Sequence, residues 1–233
     1  MLKKRFYFIK IQKGNSLVRF EGETIAFAFE DADSGRALKF ESQISNFVQF
    51  EATLESSLKK LNFKTLPWIK NILYFSIPNG LDEIQQRSYF DSADHVDAAE
   101  TFLIRENIAI LVNPQFQRLK DKNVLVIGLF NSKVEFSVLR NFEFKKNKSY
   151  YCDSDLLNVS QVAKFSSTIS ENIRDINIDE ILVVNERNDD FFQELRTDLP
   201  SYELVNNRDD LILSGLEIAS QNKVGQVIGR LGL

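Results

Sequence analysis

The sequence predicts an α/β protein made of two similar halves. Short apolar runs rich in β-branched and aromatic residues alternate with longer stretches of helical periodicity. Three strands, a helix, a strand, a helix, a strand and a final helix follow one another, and that order occurs twice. With 43% hydrophobic residues among 233, each half can bury a core of its own. The predicted halves are 1–116 and 117–233.

In the first half, Arg5–Ile11 alternates loosely and reads as a strand. Gly14-Asn15-Ser16 reads as a turn, Leu17–Phe20 as the second strand, and Thr24–Phe29, after Gly22, as the third. Beyond a loop at Asp31–Gly35, Ile44, Phe47, Val48, Leu54, Leu58 and Leu61 recur at helical spacing, with Ser42 as a candidate cap. Asn71–Ile77 is a continuous apolar run, as in a strand buried on both faces, and Pro78-Asn79-Gly80 ends it. Leu81, Ile84 and Ser88, with Asp82-Glu83 in the first turn, predict a second helix. Thr101–Ile104 is a short strand, followed by an apolar stretch at Ile108–Val112.

Pro114–Asn123 is polar and reads as the connector between halves. Val124–Gly128, Val134–Arg140 and Phe142–Phe144 then give three strands. Ser154 opens a helix carrying Leu157, Val162, Phe165, Ile169 and Ile173. A strand at Glu180–Val184, a helix at Asp189–Leu195, a strand at Tyr202–Val205 and a helix at Asp210–Ala219 complete the series.

Composition narrows the function. The formal net charge is −4 with mixed signs, which argues against a nucleic-acid binder. A single cysteine, Cys152, permits no internal disulfide and suits a reducing compartment. No apolar run approaches the roughly 20 residues of a membrane-spanning helix. Lys10 and Lys13 interrupt the apolar N-terminal stretch, so it does not read as a signal peptide. A cytoplasmic location is expected.

The duplicated order is the plan of the actin, sugar kinase and Hsp70 ATPase superfamily. Several segments resemble its bacterial actin branch, the MreB proteins. They are the opening Met-Leu-Lys-Lys with its Phe-rich strand, Ile11–Leu17 at the first phosphate loop, and Asn71–Pro78 followed by Gln85-Gln86-Arg87. Ala98–Ile104 with Glu106, Val124–Gly128 at the second phosphate loop, Ile181–Val184 before the adenosine loop, and Leu199–Tyr202 with Gly215 complete the set. The resemblance implies an actin-like (ribonuclease H-like) fold with duplicated βββαβαβα halves facing a cleft. The chain is shorter than that family, so the small subdomain after the third strand is expected to be missing or reduced.

Departures from the family pattern set the functional expectation. Such an ATPase needs glycine-rich hairpins whose backbone N–H groups approach the phosphates, and a strand-end aspartate that holds Mg²⁺ through water. Lys10-Ile11-Gln12-Lys13, followed by Gly14, replaces the family's Asp-Leu-Gly-Thr. Val126-Ile127-Gly128-Leu129-Phe130-Asn131 replaces Asp-Ile-Gly-Gly-Gly-Thr, keeping only Gly128 and placing Phe130 where phosphates would lie. Asn185-Glu186-Arg187 replaces the Gly-Gly-Gly of the adenosine loop. The expectation is a pseudo-ATPase with no catalytic residue, cofactor or metal. It would act as an actin-like scaffold in bacterial cell shape, division, secretion or pilus assembly. Other proteins, including a second copy in a dimer, are the expected partners. Peripheral contact with the inner membrane through either terminus stays open. Two alternatives also stay open: a non-catalytic partner subunit of a tRNA threonylcarbamoyl-modification enzyme, and a binder of another phosphoryl ligand using Lys10 and Lys13.

Remaining candidates have plainer explanations. His95 is the only histidine and reads as a surface residue. Asp189-Asp190 and Asp209-Asp210 fall at predicted helix starts, where the helix dipole favours acids. The N-terminal residues Leu2, Phe6, Phe8 and Ile9, with Lys3, Lys4 and Arg5, read as strand or as a membrane-facing segment. After Lys223, Val224, Val227, Ile228 and Leu231 share one helical face. That tail suits an interfacial anchor, a partner-binding helix or packing on the body of the protein, although Gly225, Gly229 and Gly232 weaken it as an isolated helix.

Overall fold

The computed structural model describes residues 3–12, 15–28, 47–63, 66–130, 133–151, 167–171, 174, 176–186, 199 and 201–222. Ten strands and four helices carry labels here: β1 (Lys3–Gln12), β2 (Asn15–Phe20), β3 (Glu23–Ala28), α1 (Phe47–Lys60), β4 (Ile69–Ile77), α2 (Glu83–His95), β5 (Glu100–Arg105), α3 (Glu106–Leu111), β6 (Val124–Leu129), β7 (Lys133–Arg140), β8 (Glu143–Tyr151), β9 (Glu180–Asn185), β10 (Glu203–Val205) and α4 (Arg208–Asn222). They form two five-stranded mixed sheets, ordered β3-β2-β1-β4-β5 and β8-β7-β6-β9-β10. In each, an antiparallel three-stranded meander is extended by two parallel strands. The duplicated α/β order predicted from sequence is therefore present as duplicated topology.

The chain divides into two compact units, Met1–Ala109 with Asp209–Leu233, and Ile110–Arg208. This differs from the expected halves, because α4 belongs with the first sheet. Its acidic first turn is held by β1 and β2, and Gly215 lies so close to Ala109 that an added Cβ would sit 1.8 Å from the Ala109 carbonyl oxygen.

Period-two patterning builds the first sheet. Tyr7 and Ile9 of β1, Leu73, Phe75 and Ile77 of β4 and Leu103 of β5 share one core with Phe50, Leu54 and Leu58 of α1 and Tyr89, Phe90 and Ala93 of α2. Each large side chain so buried stabilises by about 1.5–3 kcal/mol before entropy is counted. Asp82, expected within the first turn of α2, is its N-cap and forms a reciprocal capping box with Gln85. Ile84 is not a core residue of that helix; it is 81% exposed. The Asn79 side-chain Oδ1 accepts from the Asn107 backbone N–H at 3.0 Å, so the turn that stops β4 also ties down α3, which forms from the stretch read only as apolar.

In the second unit, Leu125, Ile127 and Leu129 of β6 pack with Val134, Phe136 and Val138 of β7 and Ile181 and Val183 of β9. The predicted connector contains a 3-10 turn, Pro114–Leu119, that buries Phe116 and Leu119. β8 is longer than the expected Phe142–Phe144, and Phe142 precedes it in the turn. Both meanders use the same device there. Glu21-Gly22 (φ 50° and 86°) joins β2 to β3, and Asn141-Phe142 (φ 54° and 60°) joins β7 to β8. Positive φ at both central residues matches the right-handed strand twist, which is what Gly22 supplies at low cost.

Several expectations lie outside the described residues: Ser42 and Ile44, the segment expected to be reduced after β3, Ser154 to Phe165, Ile173, and the helix at Asp189–Leu195. Residues 167–171 are helical, as expected for the middle of the fourth predicted helix.

Candidate functional site

The segment read from sequence as the first phosphate loop is the β1–β2 hairpin. Gln12 closes it opposite Asn15, and Lys13 and Gly14 between them lie outside the described residues. Lys10 sits two residues before the end of β1, between Leu17 of β2 and Ser76 of β4. Its side chain is only 3% exposed, and its ammonium donates to the Asp209 carboxylate in the first turn of α4. Arg19 of β2 donates to Asp210 at 2.6 Å and to the Ser214 hydroxyl at 2.9 Å, with Glu217 at 4.0 Å. The Asp209-Asp210 pair predicted for a helix start is there, and cations from two strands engage it besides the dipole. A lysine committed to a carboxylate within its own unit does not present a bare cation to a phosphate.

The segment read from sequence as the second phosphate loop includes the end of β6 and the residues after it. Gly128 lies between Glu135 of β7 and Val184 of β9. A Cβ added to Gly128 would meet Phe130 Cε2 at 2.5 Å and Cζ at 2.9 Å, so the ring folds back over the glycine. On the ring lies the Arg208 guanidinium, 4.9 Å from the centroid. Arg208 also donates to the Glu186 carboxylate. Asn185 ends β9 opposite Leu129, and the Glu186 N–H donates to the Leu129 carbonyl at 2.9 Å. Phe130, Glu186 and Arg208 thus bind the loops after β6 and β9 into one cluster. Asn131 and Arg187 lie outside the described residues. Lys10 and Val126, at the strand positions where the sequence reading looked for carboxylates, are both buried.

Sequence reasoning passed over Arg208, although an arginine just ahead of Asp209-Asp210 is out of keeping with an acidic helix start. It also passed over Glu135, the only buried carboxylate among the described residues of its unit. Tyr89 in the first unit has its hydroxyl pKa raised by burial and secondarily by Glu106. Tyr7 and Tyr74 are also raised, each mainly by burial.

Other candidates separate from this site. His95 ends α2, half-exposed, with Nδ1 4.0 Å from Glu51. Lys3 to Ile9 lie within β1, with Phe8 and Ile9 buried, and so form strand. Cys152, Asp189-Asp190 and the tail after Asn222 lie outside the described residues. Among the described residues no group of three or more His, Cys, Asp or Glu side chains is placed to hold a metal ion. No helix there is long and apolar enough to cross a membrane.

No family model matches the chain, and no curated protein matches it. Solved structures do. MreB5 of Spiroplasma citri bound to ADP superposes with a TM-score of 0.71 at 10% identity, covering 94% of this chain and 97% of that one. Apo psk41 ParM gives 0.62 at 10% identity, covering 94% and 97%. A MamK double helical filament gives 0.61 at 8% identity, covering 94% and 99%.

Proposed function

On the premise that this chain has the actin-like fold, we propose that it is a pseudo-ATPase: an actin-like protein that assembles with other proteins, itself included, without binding or hydrolysing ATP. The observation that carries this reading is the ion pair that the buried Lys10 makes with the partly exposed Asp209. An actin-like ATPase is expected to hold Mg²⁺ through water at a strand-end aspartate. Here that position carries a positive charge already neutralised by an aspartate of α4. A divalent cation brought to it would meet the ammonium or have to separate the pair, which leaves the buried Lys10 charge without its partner. The Phe130 ring over Gly128 supports the same reading, because it fills the space a phosphate needs beside the backbone.

A cytoskeleton-like role in bacterial cell shape, division, secretion or pilus assembly follows from the fold only by analogy. It carries self-association as its first corollary. A ligand that binds only the folded state raises the melting temperature in proportion to its occupancy. Thermal unfolding with and without millimolar Mg-ATP therefore tests the reading. The midpoint should not move, and a rise of several degrees would refute it.

A further inference from the structure

β1 is longer than the strand that covers one of its edges. It pairs with β4 from Lys3 to Lys10, but with β2 only from Tyr7 to Gln12. Ladder geometry says which backbone groups this leaves open. In a parallel ladder the N–H and C=O of one residue face the same neighbouring strand, and those of the next residue face the other side. The Lys3 N–H donates to the Trp68 carbonyl at 2.9 Å, on the β4 side. Lys3 and Arg5 therefore turn their backbone groups to β4. The Phe6 N–H and both backbone groups of Lys4 face the edge that β2 has left at the Glu21-Gly22 turn. Among the described residues no backbone group pairs with them. A cavity of about 450 Å³ lies there, lined by Lys4, Phe6, Phe8, Glu21 and Gly22 and walled by Glu217 of α4. An unpaired strand edge is a template for a further strand.

Charge sets the direction of such a strand. The Arg5 guanidinium donates to the Asn62 carbonyl at 2.8 Å, and Glu217 faces Arg19 at 4.0 Å. Lys3, Lys4 and Glu21 are exposed and make no ion pair among the described residues. A segment laid antiparallel to β1 has its amino side next to Glu21 and its carboxyl end beside Lys4 and Lys3; the opposite direction brings a carboxylate to Glu21. We propose that the start of β1 binds the carboxyl-terminal residues of a partner polypeptide as an added antiparallel strand, with the terminal carboxylate held by Lys3 and Lys4. The inference is independent of the pseudo-ATPase reading, because Lys4 and Phe6 lie at the other end of β1 from the Lys10 ion pair.

A randomised pool of acetylated pentapeptides tests it, offered to the full immobilised chain as free acids and as C-terminal amides, with retained peptides read by mass spectrometry. Free acids should be retained about fivefold better than amides. Lys4→Gln should remove most of that preference, and Lys4→Pro should abolish retention of both forms, because proline lacks the pairing N–H. Both variants should melt close to the wild type, since Lys4 is exposed and its N–H does not serve the β4 ladder. No retained peptide, equal retention of acids and amides, or unchanged retention by Lys4→Pro would overturn the proposal. So would a change of oligomeric state in Lys4→Pro on gel filtration, which marks a second copy of the chain as the occupant of the edge.

Discussion

The ends of β1 and β6 occupy the same place in two sheets of the same topology, yet they are filled by different physics. At β1 a lysine is buried against a carboxylate, and Arg19 repeats the arrangement one strand away. At β6 a glycine lets an aromatic ring fold over the strand, with a guanidinium stacked on it. One end is closed by charge and a helix start, the other by dispersion and a cation–π contact. Both solutions use side chains of the same unit to fill what glycine-rich loops would leave open. The difference teaches that two equivalent strand ends can be closed by separate routes, and it predicts different sensitivities at each end.

The largest effect is expected where α4 joins the first unit. Gly215→Ala drives a Cβ to 1.8 Å from the backbone oxygen of Ala109, so α4 or α3 must move. Overpacking of this kind costs roughly 3 kcal/mol, to be read as a lowered denaturant midpoint. A neutral result would remove α4 from the account of the charged end.

Phe130→Ala comes next, at about 1–2 kcal/mol, below the loss for a fully buried phenylalanine because the ring is half-buried. Gly128→Ala should cost about 1 kcal/mol in the wild type and much less in the Phe130→Ala background, because the obstructing atoms are the ring itself. Additive effects in that double-mutant cycle would mean the ring does not account for the glycine.

Lys10→Met should cost about 1 kcal/mol, since Asp209 is nearly half-exposed and water can take over its solvation. Adding Asp209→Asn should recover most of that loss. Equilibrium unfolding of the two single variants and the double variant decides it.

A smaller, pH-dependent contrast follows from the tyrosines. Tyr7, Tyr74 and Tyr89 all lie in the first unit and have pKa values raised by burial. The unfolded chain then releases protons first, from about pH 10. Their contribution is therefore fully present below that pH and is lost as pH rises above it. Difference absorbance at alkaline pH should show these hydroxyls ionising only as the first unit opens.

Much of this was readable in the sequence where the physics is local. Apolar runs gave β4, β6 and β9, because a strand covered on both faces cannot carry many polar side chains. Asp82 announced α2, although the structure makes it the cap and leaves Ile84 in solvent. β8 was cut short in the reading because Lys145-Lys146-Asn147-Lys148 does not look like a strand; at the edge of a sheet lysines are suited to one, since they discourage further pairing. Phe116 and Leu119 were hidden inside a segment whose composition is polar. At the candidate site, the residues that stand at the strand ends were legible, Lys10, Gly128 and Phe130 among them. The partners of Lys10 and Phe130 were not. Asp209 and Arg208 stand far along the chain from the residues they engage, and no periodicity encodes either pairing.

Isothermal titration of the purified protein with Mg-ATP and Mg-ADP, with an ATPase assay alongside, tests the central claim most directly. The account predicts no heat of binding and no turnover. Micromolar binding of either nucleotide would contradict it, because the Lys10–Asp209 pair and the Phe130 ring would then have to yield to a ligand they are proposed to replace.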